Sequence, residues 1–458
     1  MAQADVPEAN AHLPRRTKFF YGLTDMPIQV ASLPVSAFIP NYYGADLGVS
    51  LAAIGTVWLF ARLFDAVLDP LIGYASDRTE TRWGRRRVWM VASVPILMLS
   101  VYMIFFPSPG VTASYLLFWM IVFWLGWTML FIPYYAWAAE LSADYHERSS
   151  IVGWRAGLGL AASVLSKLVP VLALIFFGLG GTPAVVAIIG TIMLVLLPLC
   201  VGLTVWQVPE RTDVQPVSMS LLKGMRVMLT NGPFKRLVIA FFFQFTGIAF
   251  GTATIVFFIR GVLQEEDGSI LMLLVFFTAS LCGVPFWLWL SKQIGKHKAW
   301  IVSLLVYPFF SPLYLFLGAG DFYWMLPVAA ITGFAGGSFS TLPHSMKADV
   351  IDLDTMRTGE DRAAWFFAAW SFTLKIALSI GPWLSLSALA LIGFDATPGA
   401  VNSPEKLIGL RLVYALGPPV FFIIAAFVAY KYPITEERHT RMRNALERRR
   451  ARRKAVTA

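Results

Sequence analysis

Residues 61–70 read Ala-Arg-Leu-Phe-Asp-Ala-Val-Leu-Asp-Pro, and they set Arg62, Asp65 and Asp69 inside an otherwise apolar stretch. Spacings of three and four put the guanidinium and both carboxylates on one face of a helix. Two carboxylates one turn apart repel each other unless a cation lies between them or they share a proton. Oxygen ligands from one face, completed from neighbouring helices, suit Na⁺, and a shared proton suits H⁺ coupling. The plainer alternative is a structural Arg62–Asp65 bridge with Asp69 facing cytoplasmic water. A charge within a membrane span costs about 2.5–3.5 kcal/mol on insertion scales. Asp69 lies deep enough to incur that cost, so the cation-site reading is preferred.

Three other charges fall inside apolar runs. Asp25, in Tyr21-Gly-Leu-Thr-Asp25-Met-Pro27, lies about two turns into its run. Gly22 and Pro27 suggest a helix shaped around a cavity, with Asp25 as a polar substrate contact. A superficial position is the alternative. Arg155, in Gly153-Trp154-Arg155, is either a snorkelling arginine at a helix end or a bidentate partner for a carboxylate or ligand hydroxyl. Lys375 comes about twelve residues into its run, near mid-membrane depth, where a snorkelling rescue is not available. It is expected to face a polar cavity, opposite the carboxylates of the second span.

The elements that must hold these charges are set by composition. Of 458 residues, 57% are hydrophobic and only 14% charged, and the mean hydropathy is +0.65. A soluble chain carries roughly 25% charged residues. Runs of about 20 apolar residues, each able to cross a bilayer core, recur along the whole length. They read as twelve spans at 18–41, 48–76, 88–107, 112–140, 151–178, 183–207, 235–262, 269–291, 299–319, 323–348, 363–393 and 406–430. The expected fold is all-α: two six-helix bundles at 1–207 and 235–431, a central cytoplasmic loop at 208–234 and a basic cytoplasmic tail at 432–458.

Connections around Ala45, Ser108, Gly181, Asp267 and Asp321 contain no Lys or Arg. Those after the second and eighth spans carry Asp77, Arg78, Arg82, Arg85, Arg86 and Arg87, and Lys292, Lys296 and Lys298. The positive-inside rule makes the basic set cytoplasmic, with both termini on that side of the inner membrane. Asp77, Arg78, Arg82, Arg85, Lys292 and Lys296 are candidate cytoplasmic gating residues. The halves echo each other: Trp83-Gly84-Arg85 matches Ile294-Gly295-Lys296, and Glu140 matches Asp349. That is the signature of parallel repeats.

The net charge of +10 falls largely on the tail, where residues 436–458 hold nine Lys or Arg against three Glu. This suits an anchor at an anionic leaflet better than a nucleic-acid arm. No Walker-type phosphate loop is present, which argues against an ATP-driven pump. His12, His146, His297, His344 and His439 form no metal-ligand spacing, and Cys200 and Cys282 lie in apolar runs. Neither an enzyme nor a cofactor other than a coupling ion is expected.

The blocks Arg62-x-x-Asp65-Ala-x-x-Asp69-Pro70-x-x-Gly73 with Asp77-Arg78-Thr-x-Thr-Arg82-Trp83-Gly84-Arg85, and Ala348-Asp349-Val-x-Asp352 with Arg357-Thr-Gly359 and Lys375, carry a resemblance. In them the chain resembles the glycoside–pentoside–hexuronide:cation symporters of the major facilitator superfamily. The resemblance implies that Asp65 and Asp69 are cation-site carboxylates, with Thr128 a further ligand. It implies that Asp25 and Arg155 contact a sugar, and that Lys375 links the substrate and cation sites, paired with the charge of Arg62. The sequence also departs from the pattern. Phe131 stands where a second sugar-binding carboxylate is expected, Tyr135 replaces a tryptophan, Leu68 an asparagine, and Trp370, beside Ser371, a glutamine. A site with more aromatic faces is less polar.

The expectation is a monomeric symporter carrying Na⁺ or H⁺ with a glycoside-like small molecule. A lysophospholipid or another amphipathic or aryl substrate is the second reading, and a non-transporting membrane sensor the third. Of the aromatics in the fourth and eleventh spans (Trp124, Trp127, Tyr134, Tyr135, Trp137, Trp365 and Trp370), most are expected at lipid or at the interface.

Overall fold

The computed structural model describes residues 13–141, 145–210, 231–265, 267–339, 341–358, 363–397, 400–430 and 432–433. The basic tail and most of the central loop lie outside that set. Among the described residues the chain is helical throughout, without a strand. The helices are α1 (Arg15–Leu23), α2 (Asp25–Asn41), α3 (Leu51–Arg78), α4 (Arg86–Phe105), α5 (Ala113–Leu141), α6 (Tyr145–Phe177) and α7 (Gly181–Gln207). There follow α8 (Gly232–Gly261), α9 (Gly268–Ile294), α10 (Lys296–Phe310), α11 (Phe322–Gly336), α12 (Leu342–Thr358), α13 (Ala363–Leu391) and α14 (Pro404–Tyr430).

Ten of the described helices are long and apolar enough to cross a membrane. The two expected spans outside that count are the interrupted ones. The first is broken between α1 and α2 at Thr24, where Pro27 has no N–H to return to the Leu23 carbonyl. The tenth is broken between α11 and α12 by the turn that begins at Gly337. Broken helices survive at membrane depth only where protein or a cavity covers the freed backbone.

The helices form two compact units. One holds residues 1–217, 252–274 and 382–407; the other holds 218–251, 275–381 and 408–458. In the first unit Gly22 brings α1 against α6 so closely that a Cβ would meet the Arg155 backbone at 3.2 Å. Arg260 of α8 reaches Asn41, Asp46 and Thr182 at 3.1–3.4 Å. The second unit is built around Phe241, Trp287, Trp300, Phe339 and Trp370. There Gly333 and Gly337, four residues apart, lie against the backbone of α9 at Phe276 and Ser280. Small residues at this spacing let two membrane helices touch main chain to main chain.

The sequence echo has a structural counterpart within each unit. Gly84 (φ +108°) precedes α4 and Gly295 (φ +89°) precedes α10, both in a region costly to residues with a Cβ. Next to each, a basic residue pairs with an acidic one: Arg85 with Glu140 at 2.8 Å, and Lys296 with Asp349 at 2.7 Å.

Candidate functional site

Two carboxylates and a hydroxyl meet inside the first unit. Thr128 Oγ1 of α5 lies 2.7 Å from Asp65 Oδ1 and 3.3 Å from Asp69 Oδ1 of α3. A hydroxyl has one hydrogen to give and two lone pairs to offer. It therefore donates to one carboxylate at a time, and its oxygen faces the other with a lone pair. Asp65 is fully buried and Asp69 partly so. Pro70, inside α3, removes the hydrogen bond to the Ala66 carbonyl and loosens the helix beside Asp69.

Both sequence readings of Arg62 meet here. Its Nη1 donates to Asp65 Oδ2 at 3.5 Å, so the structural bridge exists, at long range. Asp65 still turns its other oxygen to Thr128, so bridge and ligand cluster coexist. The Arg62 guanidinium also lies 3.6 Å from the ring centroid of Trp124. This stacking offsets part of the lost hydration of a buried cation. Trp124 is thus part of the site, which the sequence reading missed.

Trp124, Thr128, Phe131 and Tyr135 follow one another on α5 at spacings of four, three and four, and form one stripe. The Phe131 and Tyr135 rings pack against each other, tilted by 31°, with centroids 4.0 Å apart. The stripe ends at Asp25. Tyr135 Oη donates to Asp25 Oδ1 at 3.4 Å, and Gln29 Nε2 to Oδ2 at 3.3 Å. Arg155 of α6 places its guanidinium 4.0 Å from the centroid of the Tyr135 ring, and its buried Nε has no hydrogen-bond partner. An orphaned buried donor beside a buried carboxylate is what a polar ligand would complete. Asp25 is 2% exposed, so it is packed inside the protein.

Gly159 of α6 makes room for this pocket. A Cβ at that position would run into Asp25 Oδ2 and the Gln29 side chain. Its only signal in the sequence is a glycine four residues after Arg155. Opposite the pocket, Tyr21 and Tyr134 each donate a hydroxyl to the other's carbonyl, at 2.7 and 2.9 Å, and lock α1 to α5.

Lys375, Trp370 and Ser371 all lie on α13 in the second unit. Lys375 is half-buried and Ser371 exposed. Trp370 is buried; its ring packs on Phe241 with centroids 3.8 Å apart and it donates Nε1–H to His344 Nε2 at 3.2 Å. Trp124, Tyr134, Trp137 and Trp370 are each no more than 4% exposed. The expectation that most of these aromatics face lipid is therefore wrong for them: their rings pack on cations and on one another. The Trp365 side chain lies outside the described set.

The basic loop of the first unit is a network centred on Arg86, which the sequence reading passed over for Arg85. Arg86 is 4% exposed and reaches Glu140 at 2.7 Å, Asp77 at 2.5 Å and Ser76 at 2.7 Å. Glu210 Oε1 accepts the backbone N–H groups of Arg85 and Arg86 at 2.7 and 2.6 Å. An acidic side chain there satisfies orphan donors and complements the dipole of α4. Arg78 lies over Tyr74 and Arg82 over Trp83. In the second unit Lys296 is paired with Asp349, and Lys292 is exposed.

Ten membrane-length helices, two broken spans and buried charge clusters define a multi-pass membrane transporter of the major facilitator fold. The fold likeness is direct. A solved nucleoside transporter superposes with a TM-score of 0.67 over 91% of this chain and 99% of its own, at 12% identity. The chain belongs to the MFS/sugar transport protein family, whose profile matches residues 20–436. It is similar to the sodium-dependent lysophosphatidylcholine symporter 1-B of Danio rerio, 26% identical over 96% of this chain and 91% of that one. It is also similar to the glucuronide carrier protein homolog of Escherichia coli (strain K12), 25% identical over 94% of each.

Proposed function

We propose that the protein is a symporter of the cytoplasmic membrane. It would carry a monovalent cation at Asp65, Asp69 and Thr128, together with a small molecule whose polar groups meet Asp25, Tyr135 and Arg155. The observation that carries this reading is the single Thr128 hydroxyl within reach of both carboxylates. Arg62 beside two ionised aspartates leaves a net charge of −1 in a low-dielectric interior. One Na⁺, Li⁺ or H⁺ cancels it, whereas a divalent ion would reverse it. Hard oxygen donors favour an alkali ion or a proton over a transition metal.

Cation binding removes the carboxylate repulsion and fixes Thr128 on α5, whose other end presents Tyr135 to Asp25. The loaded carrier then exchanges between outward- and inward-open states. The arginine network at Arg86 and the Lys296–Asp349 pair hold the cytoplasmic ends of their bundles. Lys375 is read as the link between cation and substrate occupancy.

A glycoside-like cargo fits Asp25, Arg155 and the Tyr135 face, which offer two hydroxyl-binding charges and a flat ring. An amphipathic or aryl cargo is the second reading, favoured by the Phe131–Tyr135 ring pair where a carboxylate would make the pocket more polar.

The test is the melting temperature of the purified protein in detergent. Glycosides and lysophospholipids are added with Na⁺, with Li⁺ and with choline at fixed ionic strength, at two pH values. Stabilisation by a cargo that requires the cation supports the reading. Loss of every cation and cargo effect would leave a membrane protein of this fold that does not transport by symport.

A further inference from the structure

The bond that Arg62 makes to the carboxylate cluster is a long one. Its Nη1 reaches Asp65 Oδ2 at 3.5 Å, whereas a charge-assisted arginine–carboxylate pair is normally bidentate at about 2.7–2.9 Å. A guanidinium is a planar fork of donors that matches a carboxylate edge to edge. Here it lies over an indole instead, 3.6 Å from the Trp124 ring centroid.

The indole is held in place for that contact. Trp124 is 4% exposed, and its ring meets those of Phe123 and Trp127 edge-on, with centroids 5.1 and 5.7 Å away. Among the described residues its buried Nε1–H has no hydrogen-bond partner. A buried tryptophan usually finds one, so this residue is engaged through its ring face and not through its polar edge.

The other position open to Arg62 follows from its chemistry. A bidentate pair with Asp65 would take Oδ1 as well as Oδ2, and Oδ1 is the oxygen that Thr128 holds at 2.7 Å. Asp69 attracts Arg62 too, so both carboxylates draw the side chain towards the cluster. In that position the guanidinium would compete, as a tethered cation, for the oxygens an incoming ion needs.

We propose that Trp124 is a positioning residue: it keeps Arg62 off the carboxylate cluster, so that Asp65, Asp69 and Thr128 can ligate an alkali-metal ion. This deepens the symporter reading above and rests on it, and it makes ion affinity depend on a side chain outside the ligand set.

The experiment measures binding of radioactive Na⁺ to the full chain in detergent micelles, with Li⁺ as competitor. Trp124→Leu removes the ring and should weaken Na⁺ binding about tenfold, the size of a desolvated cation–π contact. Trp124→Phe keeps a weaker ring face and gives up no hydrogen bond, so it should lose about threefold or less. Arg62→Gln removes the competitor and should bind Na⁺ at least as tightly as wild type. In the Arg62→Gln background, Trp124→Leu should change Na⁺ affinity by less than about twofold, because its effect acts through Arg62. A residue needed only for packing would cost the same in both backgrounds. Where Trp124→Leu does not fold, Trp124→Phe read in both backgrounds separates the same outcomes.

Wild-type Na⁺ affinity in Trp124→Leu overturns the proposal, as does an equal loss in the two backgrounds or loss of Na⁺ binding in folded Arg62→Gln. If the wild-type protein binds neither Na⁺ nor Li⁺, the proposal also falls. Stabilisation by acid alone then leaves the symporter reading standing with H⁺, whereas no response to any cation or cargo removes that reading too.

Discussion

Asp69→Asn and Asp65→Asn should act in opposite directions on the cation-free protein, although both remove a carboxylate from the same cluster. The Oδ1 atoms of Asp65 and Asp69 both lie against Thr128 Oγ1, so they are no more than 6.0 Å apart. At an effective dielectric of about 20, two unit charges at that distance repel by about 3 kcal/mol. Asp69→Asn removes this repulsion and keeps an oxygen for Thr128. It should raise the melting temperature in Na⁺-free buffer, by an amount worth up to about 3 kcal/mol. Asp65→Asn instead strips Arg62 of its bonded carboxylate, leaving the guanidinium on Trp124 with only Asp69 to face it, a loss of up to about 3 kcal/mol. Both variants should lose the cation-dependent increment, which at a hundredfold excess over Kd is about 2.7 kcal/mol in a protein with an intact site. Differential scanning fluorimetry in detergent reads both effects, titrating Na⁺ against choline and repeating in Li⁺ and at lower pH. If Asp69→Asn melts below wild type without Na⁺, or keeps a wild-type Na⁺ increment, the charge argument is wrong. A wild-type protein stabilised by acid and indifferent to Na⁺ would make the coupling ion H⁺.

Gly159→Ala should displace the Asp25 carboxylate, a flexible end, and leave the helices in place. Cargo affinity is expected to fall about tenfold, the loss of one charged hydrogen bond, while the cation increment persists; an unaltered affinity by equilibrium dialysis would refute the pocket geometry. Glu140→Ala leaves Arg86 with Asp77 and Ser76 and removes its more buried carboxylate. It should cost about 3 kcal/mol, the low end for a broken buried pair, read as a lower melting temperature that Asp77→Ala, at an exposed carboxylate, does not match.

Ten of the twelve expected spans were legible because apolar length is a local property. The Asp65–Asp69 pair was legible because a charge in an apolar run is conspicuous. What was hidden depends on partners far along the chain. Trp124 reads as one aromatic among many until Arg62, sixty-two residues earlier, is seen lying on its face. Arg85, Arg86 and Arg87 are indistinguishable in sequence, and only the start of α4 decides that Arg86 turns inward. Glu210 looks like a loop residue, and its role as acceptor for the first amides of α4 exists only once the chain returns there.

The two clusters proposed to bind cation and cargo share α5, and Pro133 lies between them. Thr128 and Tyr135 are seven residues apart, about 10 Å along the helix axis, and Pro133 leaves the Met129 carbonyl without its helical partner. A continuous helix would carry any movement of Thr128 to Tyr135 as a rigid displacement. A helix with a missing bond can bend instead, so that cation binding re-aims Tyr135 and Arg155 with little movement at Thr128. Coupling must be reciprocal: the factor by which the cation tightens cargo binding equals the factor by which cargo tightens cation binding, typically about 5–150. Pro133→Ala restores the hydrogen bond without touching a ligand-facing group. If the bend transmits the coupling, this factor should fall towards one in both directions, with each ligand's affinity in the absence of the other changed by less than about threefold. Two binding titrations, each repeated at saturation of the other ligand, measure it. A variant that keeps the wild-type factor would show that the two clusters communicate by another route and that α5 only positions them.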